Sequence, residues 1–473
     1  MSAAQGESAI MRRRTKAAAL AAAALLAAGA TYGFLLARRA DPRRPNVIVI
    51  LIDTLRRDHV GIYGYQRNTT PTIDVLANDN VLFANAYANS NWTKPSVASL
   101  FTGLYVSQHG VKYIMTDAAG EATMTQRLPE GATTLAEIMK GQRYFTLGVV
   151  ENVHVSAKLG FSQGFEIWDE GVYGATRVTN AVIEHLAEVK EPFFAYVHYF
   201  DPHAPYYRTR FFETEGAITP GLQEAKSTDY RWTNYTFGVD RGIVGLTSVE
   251  RARLEGLYDG EVRNADLGIA RIFATLKNRR MYDNSWIIIT ADHGENFYED
   301  GRLTHPHDCF SNPQMRIPLV MKMPEALGIR NVVVTDNVQL VDVAPTVMSY
   351  LGAKPLAGMV GIDVLPAVIE RKALPGRSVV AESESGVMLF SAPYKYVSVP
   401  TSAGIFRFLY NEAADPLERV NLSLDDAGTV TRLASLYDDA IERAKRKETV
   451  RPAGAVELSK EEIEAMRSLG YLH

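Results

Sequence analysis

Four stretches of this chain carry side chains that could activate an oxygen nucleophile and hold the anion it attacks. Thr93 lies in "NWTKPSVASLFTG", residues 91–103, where Val97, Leu100 and Phe101 fall at helical spacing and Ser96 is a good cap. Its hydroxyl is therefore expected just ahead of a helix N-terminus, whose unpaired N–H groups and dipole favour an anion, and it could attack phosphorus or sulfur. Asp53 follows the apolar, β-branched run "NVIVILI", Asp292 and His293 follow "SWIIITA", and His203 follows "FFAYVHYFDP". Each run reads as a strand buried on both faces, with His198 as an internal strand residue. Open α/β sheets bind ligands beyond the carboxyl ends of their strands, so three strands deliver these groups to one edge.

The elements between the runs fit that arrangement. Segments 72–79, 133–140 and 177–188 have helical character, which gives the strand–helix alternation of an α/β fold. After about residue 375 the chain turns to short strands joined by Ser, Gly and Pro, a small antiparallel sheet. "SKEEIEAMRSLGYL" then opens a closing helix with a capping box of Ser459 and Glu462.

Composition narrows the class. The 473 residues are 47% hydrophobic and 22% charged, enough for a large core and unlike a disordered chain. A net charge of −4 gives no sign of a nucleic-acid surface, and the lone Cys309 excludes an internal disulfide and a cysteine-rich metal site. Residues 17–37 carry no charge and are long enough to cross a bilayer as a helix, with arginines on both flanks. The segment reads as an uncleaved signal anchor. The resulting plan is a cytoplasmic tail (1–16), a transmembrane anchor (17–37), a linker (38–45), a catalytic domain (46–374) and a C-terminal subdomain (375–473). It places the catalytic domain on the periplasmic face of a bacterial inner membrane.

The blocks "NVIVILIDTLRRDHVGIYGY", "TTPTIDVLANDNVLFANAYA", "WTKPSVASLFTGLYVSQHGV", "HYFDPHAPY", "ADHGENFYEDG", "RIPLVMK" and "DPLERVNL" together resemble the sulfatase family of the alkaline phosphatase superfamily. The resemblance implies a large, mostly parallel sheet flanked by helices. It puts Thr93 at the nucleophile position, where the family has Cys or Ser; Pro95, Ser96, Thr102 and Gly103 match, and Val97 replaces the family arginine. Threonine cannot be oxidised to the formylglycine aldehyde. The reading is therefore a metal-dependent enzyme that hydrolyses or transfers a phosphate, or sulfate, ester through covalent Thr93, as in threonine phosphotransferases of the superfamily.

Asp53, Thr93, Asp292 and His293 are the expected metal ligands. Two carboxylates, an imidazole and an alkoxide oxygen suit Zn²⁺ or Mn²⁺, with Ca²⁺ and Mg²⁺ as alternatives. Thr54 stands where family sulfatases carry a second adjacent carboxylate. By the same resemblance His203 and His305 serve the ester or its leaving group, and His109 contacts the active-site end. Asn152 and His154 stand in for a Lys-x-His pair, and His307 is an alternative to His305 or its partner in a metal pair. The substrate is expected to be an anionic ester, an envelope lipid or glycan, met by loops 111–128 and 205–245; Arg208 and Arg210 could face its head group. Two alternatives stand beside this reading: a true sulfatase without formylglycine, and a silent envelope binding protein of the same fold.

Overall fold

The run Asn46–Ile52 forms strand β1, buried along its whole length, and the main sheet is built outward from it. The computed structural model describes residues 44–112, 114–116, 122–171, 174–206, 211–212, 235–236, 238–447, 450–451 and 453–468. The other main-sheet strands are β2 (Val81–Tyr87), β3 (Phe145–Val150), β4 (Ile167–Glu170), β5 (Phe193–Tyr199), β6 (Ser285–Thr290), β7 (Arg316–Ile317), β8 (Leu319–Lys322) and β9 (Val332–Gln339). Across the sheet they run β9, β2, then β7 and β8, then β6, β1, β5, β3, β4. Only β7 and β8, separated by Pro318, run against the rest. The expected α/β architecture with a large, mostly parallel sheet is what the chain forms.

Register places the chemistry. Leu51 stands beside Thr290 of β6 and beside His198 of β5. Two residues further on, Asp53 and Asp292 leave adjacent parallel strands at the same level.

Helices flanking the sheet include α1 (Pro71–Asp79), α2 (Thr93–Thr102), α3 (Leu135–Gly141), α4 (Ala175–His185) and α5 (Ser248–Asn278). The segments 72–79, 133–140 and 177–188 are helical to within a few residues at each end. Helix α2 starts earlier than Ser96 suggests. Trp92 is its N-cap and Thr93 its first residue, while the Ser96 hydroxyl donates to the carbonyls of Asp292 (2.7 Å) and Ser90 (3.2 Å). The long α5 opens with a reciprocal box between Thr247 and Glu250.

A four-stranded antiparallel sheet spans residues 379–411, as the Ser- and Gly-punctuated pattern suggested. Ser459 and Glu462 cap the helix Lys460–Ser468 by exchanging hydrogen bonds (2.6 and 3.2 Å). Just before it, Ala455–Glu457 pairs antiparallel with Ala122–Gln126.

One expectation is corrected. No helix among the described residues is long and apolar enough to cross a membrane, and residues 17–37, like Arg208 and Arg210, lie outside the described residues. Anchorage with an exported catalytic domain therefore has no support in the structure.

Helix α1 is capped from another element. Thr70 gives no side-chain cap; instead Asp266 of α5 accepts from the N–H groups of Thr72 and Ile73, both at 3.0 Å. Asp266→Ala leaves those donors unpaired and should cost about 1–3 kcal/mol in urea unfolding. Asp266→Asn, which keeps an acceptor oxygen, should cost less.

Candidate active site

The carboxyl ends of β1 and β6 set two carboxylates side by side. Both are fully buried, and in each one oxygen is engaged while the other is not. Asp53 Oδ2 accepts from Asn152 Nδ2 at 2.6 Å and lies 3.2 Å from His198 Nε2, whereas its Oδ1 has no hydrogen-bond partner. Asp292 Oδ1 accepts from the N–H groups of Thr54 (3.1 Å) and His293 (2.9 Å), whereas its Oδ2 has none. The Thr54 contact requires a positive φ of 54°, a left-handed conformation that threonine rarely adopts. Burial and the neighbouring Asp292 charge push the Asp53 carboxyl well above its ordinary range. A divalent cation between the orphaned oxygens would reverse that repulsion, so these residues fit a metal. Asp53, His198 and Asp292 offer ligand atoms that all lie within 4.8 Å of one another.

Thr93 and His293 complete the cluster. Thr93 Oγ1 lies 3.4 Å from His293 Nε2, which is 3.4 Å from Asp292 Oδ2. His293 Nδ1 meets the Gly294 carbonyl at 2.9 Å, so Nδ1 carries the proton and Nε2 keeps its lone pair. Burial holds the imidazole below its usual pKa, in the neutral form a metal needs. Thr93 itself, in the first turn of α2, is fully buried.

Three imidazoles form the wall. The His305 ring lies 4.6 Å from that of His293 and 4.9 Å from that of His203, which stacks on Phe200 at 4.4 Å. His203 Nδ1 meets the Ala204 carbonyl at 2.6 Å. His305 Nδ1 meets Glu295 Oε1 at 3.0 Å, and the other oxygen of Glu295 accepts from the Tyr206 hydroxyl at 2.6 Å. Burial lowers His305 to about 3 and raises Glu295 to about 7. His154 is buried edge-on to Trp92 at 5.7 Å; its pKa falls well below the usual value through burial and the nearby Lys94.

Two expected substrate contacts have protein partners of their own. His109 is held between Ser99 Oγ at Nε2 (3.1 Å) and the Val111 N–H at Nδ1 (3.1 Å), which occupies both ring nitrogens. His307 stacks on Trp92 at 4.8 Å, and its Nδ1 bonds to Glu384 at 2.6 Å. Because His305 turns to Glu295 and His307 to Glu384, the two do not form a metal pair.

Three residues at the site had no role in the sequence reading. His198 was placed inside its strand, and it is buried there; the signal available was a histidine near the carboxyl end of a strand neighbouring Asp53. Glu295 stood in the "ADHGE" block without a partner to suggest its use. Lys94, beside Thr93, is fully buried, with its ammonium 5.1 Å over the Trp92 ring and bonded to the Thr125 hydroxyl. Burial lowers it to about 7.

Comparison with known proteins agrees with this fold. The family model described as Sulfatase matches residues 45–353. An ulvan-active sulfatase of Formosa agariphila is 23% identical over 352 residues, which cover 68% of this chain and 54% of that protein. The chain thus spans about half the length of that relative. A Delta 4,5-hexuronate-2-O-sulfatase of Bacteroides thetaiotaomicron is 23% identical over 447 residues, 85% of this chain and 90% of that one. Among solved structures, the phosphonate monoester hydrolase of Agrobacterium radiobacter superposes with a TM-score of 0.67 at 20% identity, covering 85% of this chain and 96% of its own.

The two orphaned oxygens make a quantitative prediction. Mn²⁺ or Zn²⁺ at a hundredfold excess over its dissociation constant should stabilise the protein by about 2.7 kcal/mol, read as a rise in Tm. Asp292→Asn should lose most of that rise. Without metal this variant should be no less stable than the parent, because it removes one of two buried like charges.

Proposed function

Because the chain belongs to the sulfatase family, we propose that it is a metal-dependent enzyme that cleaves a phosphate or sulfate ester, or transfers its anion to an acceptor, through a covalent adduct on Thr93. The observation that carries this reading is the pair of half-satisfied carboxylates beside a buried threonine hydroxyl in the first turn of α2. Asp53 Oδ1, Asp292 Oδ2, His293 Nε2 and Thr93 Oγ1 would hold the ion, a donor set suited to Zn²⁺ or Mn²⁺. Asn152 and His198 both approach Asp53 Oδ2, turning Oδ1 toward the site. When bound, the ion would lower the pKa of the Thr93 hydroxyl and offset charge on the ester.

Thr93 Oγ1 attacks phosphorus or sulfur, the bond to the leaving oxygen breaks, and the hydroxyl proton leaves with the departing alcohol. Water or an acceptor hydroxyl then takes the anion from Thr93, and a proton returns to Oγ1. The N–H groups at the start of α2 face the anion, and His203 and His305, ring to ring at 4.9 Å, are placed for the anion and the proton. With Val97 apolar, imidazoles do the work of the family arginine.

A phosphate or phosphonate ester is the favoured substrate, because a threonine nucleophile cannot use aldehyde-hydrate chemistry. The relatives named for ulvan and for hexuronate sulfate make a sulfated glycan the second choice. A silent binding protein is disfavoured: two buried carboxylates at one level, each with an unpaired oxygen, destabilise a fold that has no use for a cation.

Thr93→Ala should abolish turnover of 4-nitrophenyl phosphate, phenylphosphonate or sulfate while keeping most of the metal, since three other ligands remain. Thr93→Ser should keep part of the activity. Mass spectrometry of enzyme quenched in acid during turnover should find the added anion on the Thr93 peptide; full activity of Thr93→Ala ends the proposal.

A further inference from the structure

On one side the site reaches solvent, and a carboxylate from the antiparallel C-terminal sheet stands there. Trp92 and Thr93 are fully buried, whereas the side chains of His307 and Glu384 are 21% and 24% exposed. Glu384 lies in the turn between the strands Val379–Glu382 and Val387–Ser391. One hydroxyl, used to capacity, fixes that turn: Ser383 Oγ donates to the His307 carbonyl at 2.7 Å and accepts from the N–H groups of Ser385 and Gly386, both at 3.1 Å. The turn also packs too closely for a side chain at Gly386, where a Cβ would lie 2.8 Å from the Ser398 carbonyl oxygen. Glu384 Oε1 meets His307 Nδ1 at 2.6 Å, and the His307 ring stacks on Trp92, the residue before Thr93, at 4.8 Å. The carboxylate is therefore aimed from both ends. Its other oxygen, Oε2, has no partner among the described residues.

An ester held by its anion at Thr93 has to extend its alcohol away from the buried Asp53 and Asp292, toward the side where the site opens. There it meets Glu384. An ionised carboxylate only accepts hydrogen bonds, so Oε2 binds a hydroxyl or an ammonium on the alcohol and repels a second carboxylate, sulfate or phosphate. We propose that Glu384 is the specificity-determining residue for the alcohol half of the substrate, selecting esters whose alcohol carries a hydrogen-bond donor and rejecting those that carry a second anion. The proposal rests on the ester-transfer reading above and narrows the substrate class that reading leaves open. An acceptor that takes the anion from Thr93 approaches from the side the alcohol has left, so the same carboxylate selects the acceptor.

Phenyl phosphate and its 3-aminomethyl, 3-hydroxymethyl and 3-carboxymethyl derivatives, or the matching sulfates, test this with the full, metal-loaded chain, because the methylene keeps the leaving groups similar in acidity. The kcat/KM should favour the aminomethyl over the carboxymethyl ester by roughly 10–100-fold, with the hydroxymethyl ester between them. Glu384→Gln, which keeps an acceptor for His307, should shrink that ratio to about threefold or less, and Glu384→Lys should reverse it. A merely structural Glu384 would lower all the rates together; a parent chain without the preference, or a Glu384→Gln chain that keeps it in full, overturns the proposal. Either result, with Thr93→Ala still inactive, leaves the covalent reading standing. A second measurement needs no turnover. Calorimetry of the manganese-loaded protein with 3-aminomethyl- and 3-carboxymethyl-phenylphosphonic acid, whose carbon–phosphorus bond is not an ester, should give the same order of Kd in the parent and little difference in Glu384→Gln; equal Kd values in the parent refute the role of Glu384 whatever the fate of the esters.

Discussion

Two buried carboxylates that leave neighbouring parallel strands at the same level set the terms for everything around them. Asp53 and Asp292 repel, and each is stabilised from one side only. The surrounding backbone is bent to supply that one side. Thr54 takes a left-handed conformation so that its N–H reaches Asp292, and Gly294 has no alternative residue, because a Cβ there would lie 1.9 Å from the Pro313 carbonyl oxygen. Strain concentrated at such a place is characteristic of a site kept for chemistry rather than for stability.

A second set of contacts fastens the turn that carries Thr93. Asn91 donates to the carbonyls of Cys309 (2.7 Å) and His307 (2.9 Å), and Ser383 donates to the His307 carbonyl at 2.7 Å. With Trp92 stacked on His307 and Glu384 bonded to its ring, two segments distant in sequence close around residues 91–93. Thr93 is therefore held by packing as well as by its helix, which supports a fixed attack geometry.

The parts that could be read from the sequence were those with a local cause. β-branched runs made the strands, a Ser–Glu box made a cap, and residues directly after strands had to emerge at the carboxyl edge, which is where Asp53, Asp292 and His293 lie. What escaped depends on which strands become neighbours and which way a ring turns. His198 differs from any interior strand histidine only because β5 pairs with β1. His305 and His307 are two residues apart and chemically alike; separate acidic partners, Glu295 and Glu384, give one to the site and the other to the clasp. His109 matched a motif, yet Ser99 and the Val111 amide claim its ring.

The strand pairing of Ala455–Glu457 with Ala122–Gln126 sets an order on folding. Val456 stands opposite Thr125, whose hydroxyl holds the Lys94 ammonium next to Thr93. The residue adjoining Thr93 thus depends on a contact that spans more than three hundred positions, the kind of closure that comes late because its entropy must be lost before the contact repays it. On a ribosome, a nascent polypeptide that has already formed β1 to β9 still lacks this support. The turn at Thr93 reaches its final setting only after the strand at 455–457 has emerged.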